Sequence, residues 1–540
     1  MNRMGKFMYA FVGVVVAAFL VSSTALAGGG STWVSAGHDL QNTRYQNTES
    51  KIGVANVAKL AMQWQFTTGG DVSATPAVDG STVYVPDWAG NLYAIDQSTG
   101  NQVWSHKVSD YTGIAGDTSR ATPALVGNYL IFGDQGGKVG GGAWVMAVNK
   151  QTGNLVWKTL VESIGFPIVT QSAVIDASGT TPVAYVGVAS FEEALEAFIP
   201  NYVCCSFRGS ILALNANTGQ ILWKTYTVPG GGVPGNSYTG GSVWGSTPVI
   251  DYSRNSLYID TGNNYSVPAS VQNCVAGANN DPAAMQACIS PADHFDSVMA
   301  LDLKTGAVKW ASVAIPFDSF NIDCVPELLP PGVEGNPANC PQPAGPDYDF
   351  GQGPTLFTVR PGGNGKPVDL LGAGQKSGQY WAFNPDTGAV VWETQVGPGG
   401  TLGGMEWGSA TDGNRIYVAI SNNAGKPWNL INNQTVYSGG WSALDAATGK
   451  ILWQTADPTG GIDPGAVSAA NGVVYGCSLD AQGNMYGFNA ATGSILWSFA
   501  SGGSCNSGAA ISNGVVYWGS GYSNFGLGTP NNKFYAFHLP

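Results

Sequence analysis

The chain has 540 residues, with 35 acidic against 22 basic side chains, a formal net charge of −13 and only 11% charged residues. This balance, with no basic stretch anywhere, argues against a nucleic-acid partner. Gly 76 and Trp 17 suit a turn-rich, all-β protein, and repeats running to the end of the chain favour one body over the several domains that length alone allows.

At the N-terminus, Arg3 and Lys6 precede an apolar run from Phe7 to Val21, and Ala25-Leu26-Ala27 offers an A-x-A cleavage site. Residues 1–27 are therefore predicted to be a secretory signal peptide and 28–540 a single mature domain. The apolar run is short for a spanning helix, and no other segment could cross a membrane. The expected location is periplasmic or secreted, with nothing spanning the membrane after cleavage.

The body of the chain repeats one unit seven times. YAIDQSTGNQVW ends at Trp104, MAVNKQTGNLVW at Trp157, LALNANTGQILW at Trp223 and MALDLKTGAVKW at Trp310. WAFNPDTGAVVW ends at Trp392, SALDAATGKILW at Trp453 and YGFNAATGSILW at Trp497. An alternating apolar run, then Asp or Asn, three residues, Gly, three residues and Trp reads as two antiparallel strands around a tight turn. Strand pairs recurring at this period imply propeller blades, each packed on its neighbour through the Trp. Trp64 in LAMQWQF stands where an eighth docking Trp belongs, and the C-terminal KFYAFHLP supplies that unit's missing apolar strand. The expected fold is an eight-bladed β-propeller whose N- and C-terminal segments close one blade.

Docking Trp residues are unevenly spaced, so extra sequence must leave the ring as loops, around Val267 to Asp293 and Phe317 to Asp347. Loops on a rigid scaffold are where binding usually resides, although these two could equally be stapled decoration. Eight cysteines in an exported chain imply an oxidising compartment and disulfides. Cys274 and Cys288 share one insertion, Cys324 and Cys340 the other, Cys477 and Cys505 lie in successive units, and Cys204-Cys205 are adjacent. No C-x-x-C-H haem signal occurs, and four scattered His residues argue against a His-built metal site.

The segments outside the generic repeat are more specific. WVSAGHDLQNTRYQ resembles the opening of the quinoprotein dehydrogenases, which hold pyrroloquinoline quinone (PQQ) in an eight-bladed propeller. TGGDVSATPAV, VPDWAGNLYAID, CCSFRGSILALN, TGNNYS, GPDYDFGQGPTL, AGQKSGQYWAFNPDTG, LGGMEWG and GGSCNSG sharpen the resemblance toward polyvinyl alcohol dehydrogenases.

That resemblance implies PQQ beside a calcium ion, a hard cation that takes oxygen ligands. By motif position, Glu193 and Asn263 fall where two metal ligands are expected, with Glu192 as the alternative if the register slips by one. Asp347 in GPDYDFG falls on the third ligand and general base, with the cation and Lys376 expected to keep it ionised. Asp349, Asp318 and Asp323 are its rivals for the base. Arg120 matches a carboxylate-binding arginine, Thr170 and Ser242 match hydroxyl donors, and Trp244 matches the indole that stacks under the quinone. Trp407 in LGGMEWG is a further cofactor contact, and Lys376 matches a cation beside the reactive carbonyl. Cys204-Cys205 lies one unit later than the vicinal pair of alcohol-oxidising relatives, so the cofactor cap expected of it rests on family likeness alone. Pro346-Asp347 likewise replaces a Trp-Asp that related enzymes often carry.

The implied activity is oxidation of secondary alcohols, polyvinyl alcohol or a small analogue, with hydride passed to PQQ and electrons to a separate cytochrome c. Two alternatives stay open: a dehydrogenase of the same cofactor class for another alcohol or a sugar, and a non-catalytic propeller similar to the lipoprotein scaffold of outer-membrane protein assembly. A scaffold has no reason to assemble Arg120, Glu193, Asn263, Asp347 and Lys376.

Overall fold

The computed structural model describes residues 32–362 and 365–540, so the predicted signal segment lies outside the described residues. Eight sheets with a four-stranded core follow one another along the chain. Seven are built in sequence order, from residues 77–107, 124–162, 174–226, 249–313, 355–395, 410–456 and 468–500. The eighth joins Ala510–Ser512, Val515–Gly519 and Lys533–His538 to Ala61–Thr67, with Trp64 opposite Ala536. The two ends of the ring thus share one blade, as the lone Trp64 and the C-terminal strand imply.

The repeat now has a physical reading. In the first blade Asp96 Oδ1 accepts the backbone N–H groups of Ser98 and Thr99 at 3.0 and 2.9 Å, which holds the turn. Gly100 closes it with φ of 73°, where a side chain is disfavoured. Each such glycine also lies flat on the docking Trp of the preceding blade. A Cβ at Gly219 would stand 2.5 Å from the Trp157 ring, and one at Gly306 2.5 Å from Trp223. The indole N–H then donates to a carbonyl just beyond the neighbouring strand: Trp157 to Ala216 at 3.0 Å, Trp453 to Ala490 at 3.0 Å. Trp497 reaches Leu60 at 3.2 Å and Trp64 reaches Gln97 at 2.9 Å, so the closing blade docks on both sides. Trp392 is the exception, packed on Gly449 with its N–H unpartnered.

The short first strands of most neighbouring blades touch one another and line the axis. Residues 33–46 cross this inner circle and bond to it blade by blade. Trp33 pairs with Val78, Val34 O accepts from Leu125, and Ala36 N donates to Ser172 Oγ. The carbonyls of Leu40, Gln41, Thr43 and Arg44 accept from Ile250, Leu356, Thr411 and Ala469, and Gln46 donates to Ile511 O. All eight blades are engaged. Left-handed backbone at His38, Asn42 and Arg44, with φ of 74°, 55° and 49°, lets fourteen residues turn across the axis.

Four disulfides form: Cys204–Cys205, Cys274–Cys288, Cys324–Cys340 and Cys477–Cys505. The first insertion folds as two helices, Ala269–Gly277 and Pro282–Gln286, whose Val271 and Val275 pack with Val267 and Phe317. It buttresses the second insertion.

Two glycines separate strain from contact. Gly127, with φ of 54° and open space at its Cβ position, should tolerate alanine at a cost of about 1 kcal/mol. Gly219→Ala adds a collision with Trp157 to the same strain and should cost roughly 3 kcal/mol or more in urea unfolding. Equal losses for the two variants would refute the docking role of the glycine.

Candidate functional site

A cavity of about 640 Å³ opens at the axis, walled by side chains from blades across the ring. Arg120, Thr170, Glu193, Ser242, Trp244, Lys376 and Trp407 all line it, so seven side chains singled out from sequence, spread over nearly 300 positions, meet in one space. Asp349 joins them there. Asp347 and Asn263 are buried beside this wall, at 6% and 1% exposure, rather than on it.

Lys376 sits between two carboxylates, 2.9 Å from Asp347 Oδ1 and 3.1 Å from Asp349 Oδ2. Asp349 also accepts from Trp244 Nε1 at 3.0 Å and from the Asn263 backbone N–H at 2.6 Å. It thereby fixes both the indole and the asparagine loop. The Asn263 amide nitrogen donates to the carbonyls of Asn264 and Phe320, at 3.0 and 2.9 Å, which fixes the orientation of the amide. Trp244 lies over Gly351, where a Cβ would come within 2.5 Å of the ring, and meets Trp407 edge-on at 5.1 Å.

The loop carrying Asp347 and Asp349 is anchored by Asp318, whose carboxylate accepts the N–H groups of Asp347 at 3.2 Å and Tyr348 at 2.7 Å. Its backbone carbonyl accepts from Asn264, tying this loop to the asparagine loop. Asp347 adopts φ of 60°, unusual for an aspartate, and these bonds hold it there. Asp323 is spent elsewhere, accepting from Asn336 N and Asn339 Nδ2.

The two adjacent glutamates have separate roles. Glu192 is fully buried and accepts from Tyr202, from the backbone and hydroxyl of Ser206 and from Phe207 N, which organises the 202–207 loop. Glu193 lines the cavity, and its buried Oε2 has no partner. Burial first, then Asp347 and Asp349, push the Glu193 carboxyl well above its ordinary range, against Lys376. Burial likewise raises Asp347, with Asp349 and Asp318 adding to it and Lys376 opposing. Lys376 thus favours the Asp347 carboxylate, as expected, while burial and the neighbouring acids oppose it.

Arg120 stacks over Trp407 at 3.7 Å and approaches Trp88 at 5.6 Å. Thr170 Oγ1 accepts from Gln135 at 3.2 Å, and Ser242 pairs with the Tyr265 hydroxyl at 2.6 Å. Cys204 and Cys205 do not line the cavity; they are buried among Phe207 and Tyr265, with the Cys204 N–H on Asn339. The second insertion is a working wall, contributing Ile322, Leu328, Leu329 and Pro330, whereas no residue of the helical insertion lines the cavity. Sequence reading missed Glu406, Asn506 and Tyr522, which also line it. Glu406 was within reach, being the neighbour of Trp407 in LGGMEWG.

A family profile described as outer membrane protein assembly factor BamB matches residues 56–248 and 376–528. That profile follows the docking repeat and passes over 249–375, the stretch that carries Asn263, Asp318, Asp347 and Asp349. Polyvinylalcohol dehydrogenase of Sphingopyxis sp. (strain 113P3) is 30% identical over 92% of this chain and 73% of its own length. The polyvinylalcohol dehydrogenase of a Pseudomonas sp is 29% identical over 91% of this chain and 73% of its own length. The solved quinohemoprotein alcohol dehydrogenase from Comamonas testosteroni superposes with a TM-score of 0.67 at 18% identity, over 94% of this chain and 80% of that one. With the docked eight-bladed ring and these relatives along nearly its whole length, the chain belongs to the PQQ-dependent quinoprotein alcohol dehydrogenases.

Proposed function

We propose that the protein, periplasmic or secreted, oxidises secondary alcohols, polyvinyl alcohol or analogues of it, to ketones, using PQQ and Ca²⁺ held in the axial cavity and a separate cytochrome c as electron acceptor. The observation that carries this reading is the acid surplus around Lys376: Glu193, Asp347 and Asp349 crowd one lysine, and Glu193 Oε2 is buried without a donor. Such a set fits a hard cation taken by oxygen ligands. The substrate class is supported by the two polyvinylalcohol dehydrogenases among the relatives and by the outer wall of Ile322, Leu328, Leu329 and Leu402, which suits a carbon-rich chain better than a sugar.

When bound, PQQ supplies a hydride acceptor and the cation a Lewis acid. Glu193, the Asn263 amide oxygen and Asp347 would hold the cation. Arg120 and Lys376 would take the anionic groups of the cofactor, with Thr170 and Ser242 adding hydroxyl contacts. Trp244, rigid between Gly351 and Asp349, offers a flat face, and Trp407 with its stacked Arg120 closes the side. Asp347 is the group to accept the hydroxyl proton. Asp349 is already engaged by three donors, whereas Asp347 is held by Lys376 alone at Oδ1 and keeps lone pairs for a proton. A purely scaffolding ring is the second reading, favoured only by the family profile, and it gives no account of this cluster.

Addition of PQQ and Ca²⁺ to the purified protein should allow dye reduction by a secondary alcohol. Chelation should abolish this and Ca²⁺ should restore it. Turnover that survives exhaustive chelation, with no metal found by elemental analysis, would reject the site. Asp347→Asn should lower kcat by roughly a hundredfold while PQQ still binds. Asp349→Asn should act mainly on cofactor affinity by loosening Trp244, with kcat at saturation changed less than about tenfold. The opposite pattern would make Asp349 the base.

Glu406 gives a pH dependence. Burial pushes its carboxyl up to about 7, against the pull of Lys376 and Arg120. The native state therefore keeps a proton that the unfolded chain releases near 4.5, so the stability this group confers below that pH is lost as pH rises through about 7. Between pH 5 and 8 the wild type should lose roughly 2–3 kcal/mol more than Glu406→Gln in denaturant unfolding. Parallel losses would place the Glu406 proton elsewhere.

A further inference from the structure

Arg44 lies on the crossing segment, 1% exposed. Its guanidinium donates to Thr75 Oγ1 and to the Trp407 carbonyl, both at 3.3 Å, and its Nε has no partner. Among the described residues no carboxylate is within ion-pair distance, and burial alone pulls its pKa down to about 9, so it stays charged at neutral pH. An uncompensated buried charge is among the costliest features a fold can carry.

Beside it is a second, smaller space of about 40 Å³, large enough for about three waters or one monatomic ion. Its lining is polar and includes Arg44, Arg120, Thr75, Ser246 and Asn506. Asn506 is 3% exposed. It lies beside Tyr522, yet neither of its amide atoms has hydrogen-bonding geometry to any partner. Two arginines and an asparagine whose amide has no partner thus line one small chamber. Arg120, Thr170, Trp407 and Asn506 line both this chamber and the large cavity, so it lies between the crossing segment and the cofactor site. Gly408 and Gly508 press on Arg44, where Cβ atoms would come within 2.3 and 3.0 Å, so the guanidinium cannot swing away to find a carboxylate.

We propose that this chamber is a binding site for a small inorganic anion, a halide under ordinary conditions, held by Arg44 and Asn506 with Arg120 behind. The anion supplies the countercharge that the chain itself does not, and it braces the Trp407 carbonyl side of the cofactor site. No hydrophobic or macromolecular partner fits a space of this size. A free halide and a carboxylate of PQQ share the same chemistry, and the test separates them.

The test is thermal unfolding at fixed ionic strength as chloride replaces gluconate, with and without PQQ, together with bromide-soaked crystals read by anomalous scattering. Expected are a saturable Tm rise of roughly 1–3 °C with chloride in both forms and a bromide peak beside Arg44. Arg44→Met should abolish the chloride dependence while raising Tm in gluconate toward the wild-type value in chloride. Should that variant fail to fold, Thr75→Val, which removes the Arg44 acceptor in the chamber lining, should weaken the half-saturating chloride concentration at least severalfold. A chamber that holds only water, or bromide that disappears whenever PQQ is loaded, overturns the assignment.

Discussion

The ring depends on one contact repeated at seven of its junctions, an indole laid on a glycine of the next blade, with Trp497 docking on Leu60 and Phe537 at the closing one. The glycine is fixed twice, by its left-handed backbone and by the absence of room for a Cβ. The aspartate or asparagine four residues earlier sets the turn that presents it. Because the docking Trp reaches always from one blade to the next, the eight sheets share a single handed arrangement, and the first strands are brought close enough to form a rim. Side chains from blades far apart in sequence can therefore be placed to within ångströms of one another. The scaffold supplies precision, and the loops supply chemistry.

The chemistry concentrated there is an imbalance of charge. Glu193, Asp347 and Asp349 face one lysine, with Asp318 behind them gripping the backbone of the loop. An apolar interior would neutralise such a set by protonation, and the upward push on Glu193 and Asp347 shows that tendency. The proposed divalent ion would reverse it, and with the reversal would come a ligand set and a usable base. Trp244 is drawn into the same arrangement through Asp349, so electrostatic and stacking elements stand or fall together.

Much of this was legible in sequence, for physical reasons. The repeat is a local pattern and carries its own turn chemistry, so the blade count and the shared closing blade follow from Trp64 and the terminal strand. Site residues were found by motif, and seven of them do line one cavity. What escaped lacks a local signal. Nothing in EE separates Glu192, consumed by Tyr202, Ser206 and Phe207, from Glu193, which keeps a bare oxygen. Glu406 and Tyr522 acquire meaning only from neighbours on other blades. The vicinal cysteines, expected over the cofactor by family likeness, are packed in the core, a matter of where one loop turns. Depth of burial, which pushes the carboxyls of Glu193 and Asp347 upward, likewise has no signal in the sequence.

The crossing segment also has a consequence for the order of assembly. Residues 33–46 precede every blade in the chain, yet their partners run from Val78 to Ile511. The first part made is thus among the last that can be fully satisfied, because its final partner belongs to the eighth blade. Until then the rim has open backbone groups and a charged arginine with no chamber around it. Contacts of such long sequence separation are slow to form. In a chain delivered from its N-terminus, the segment that reads as an introduction behaves as a keystone.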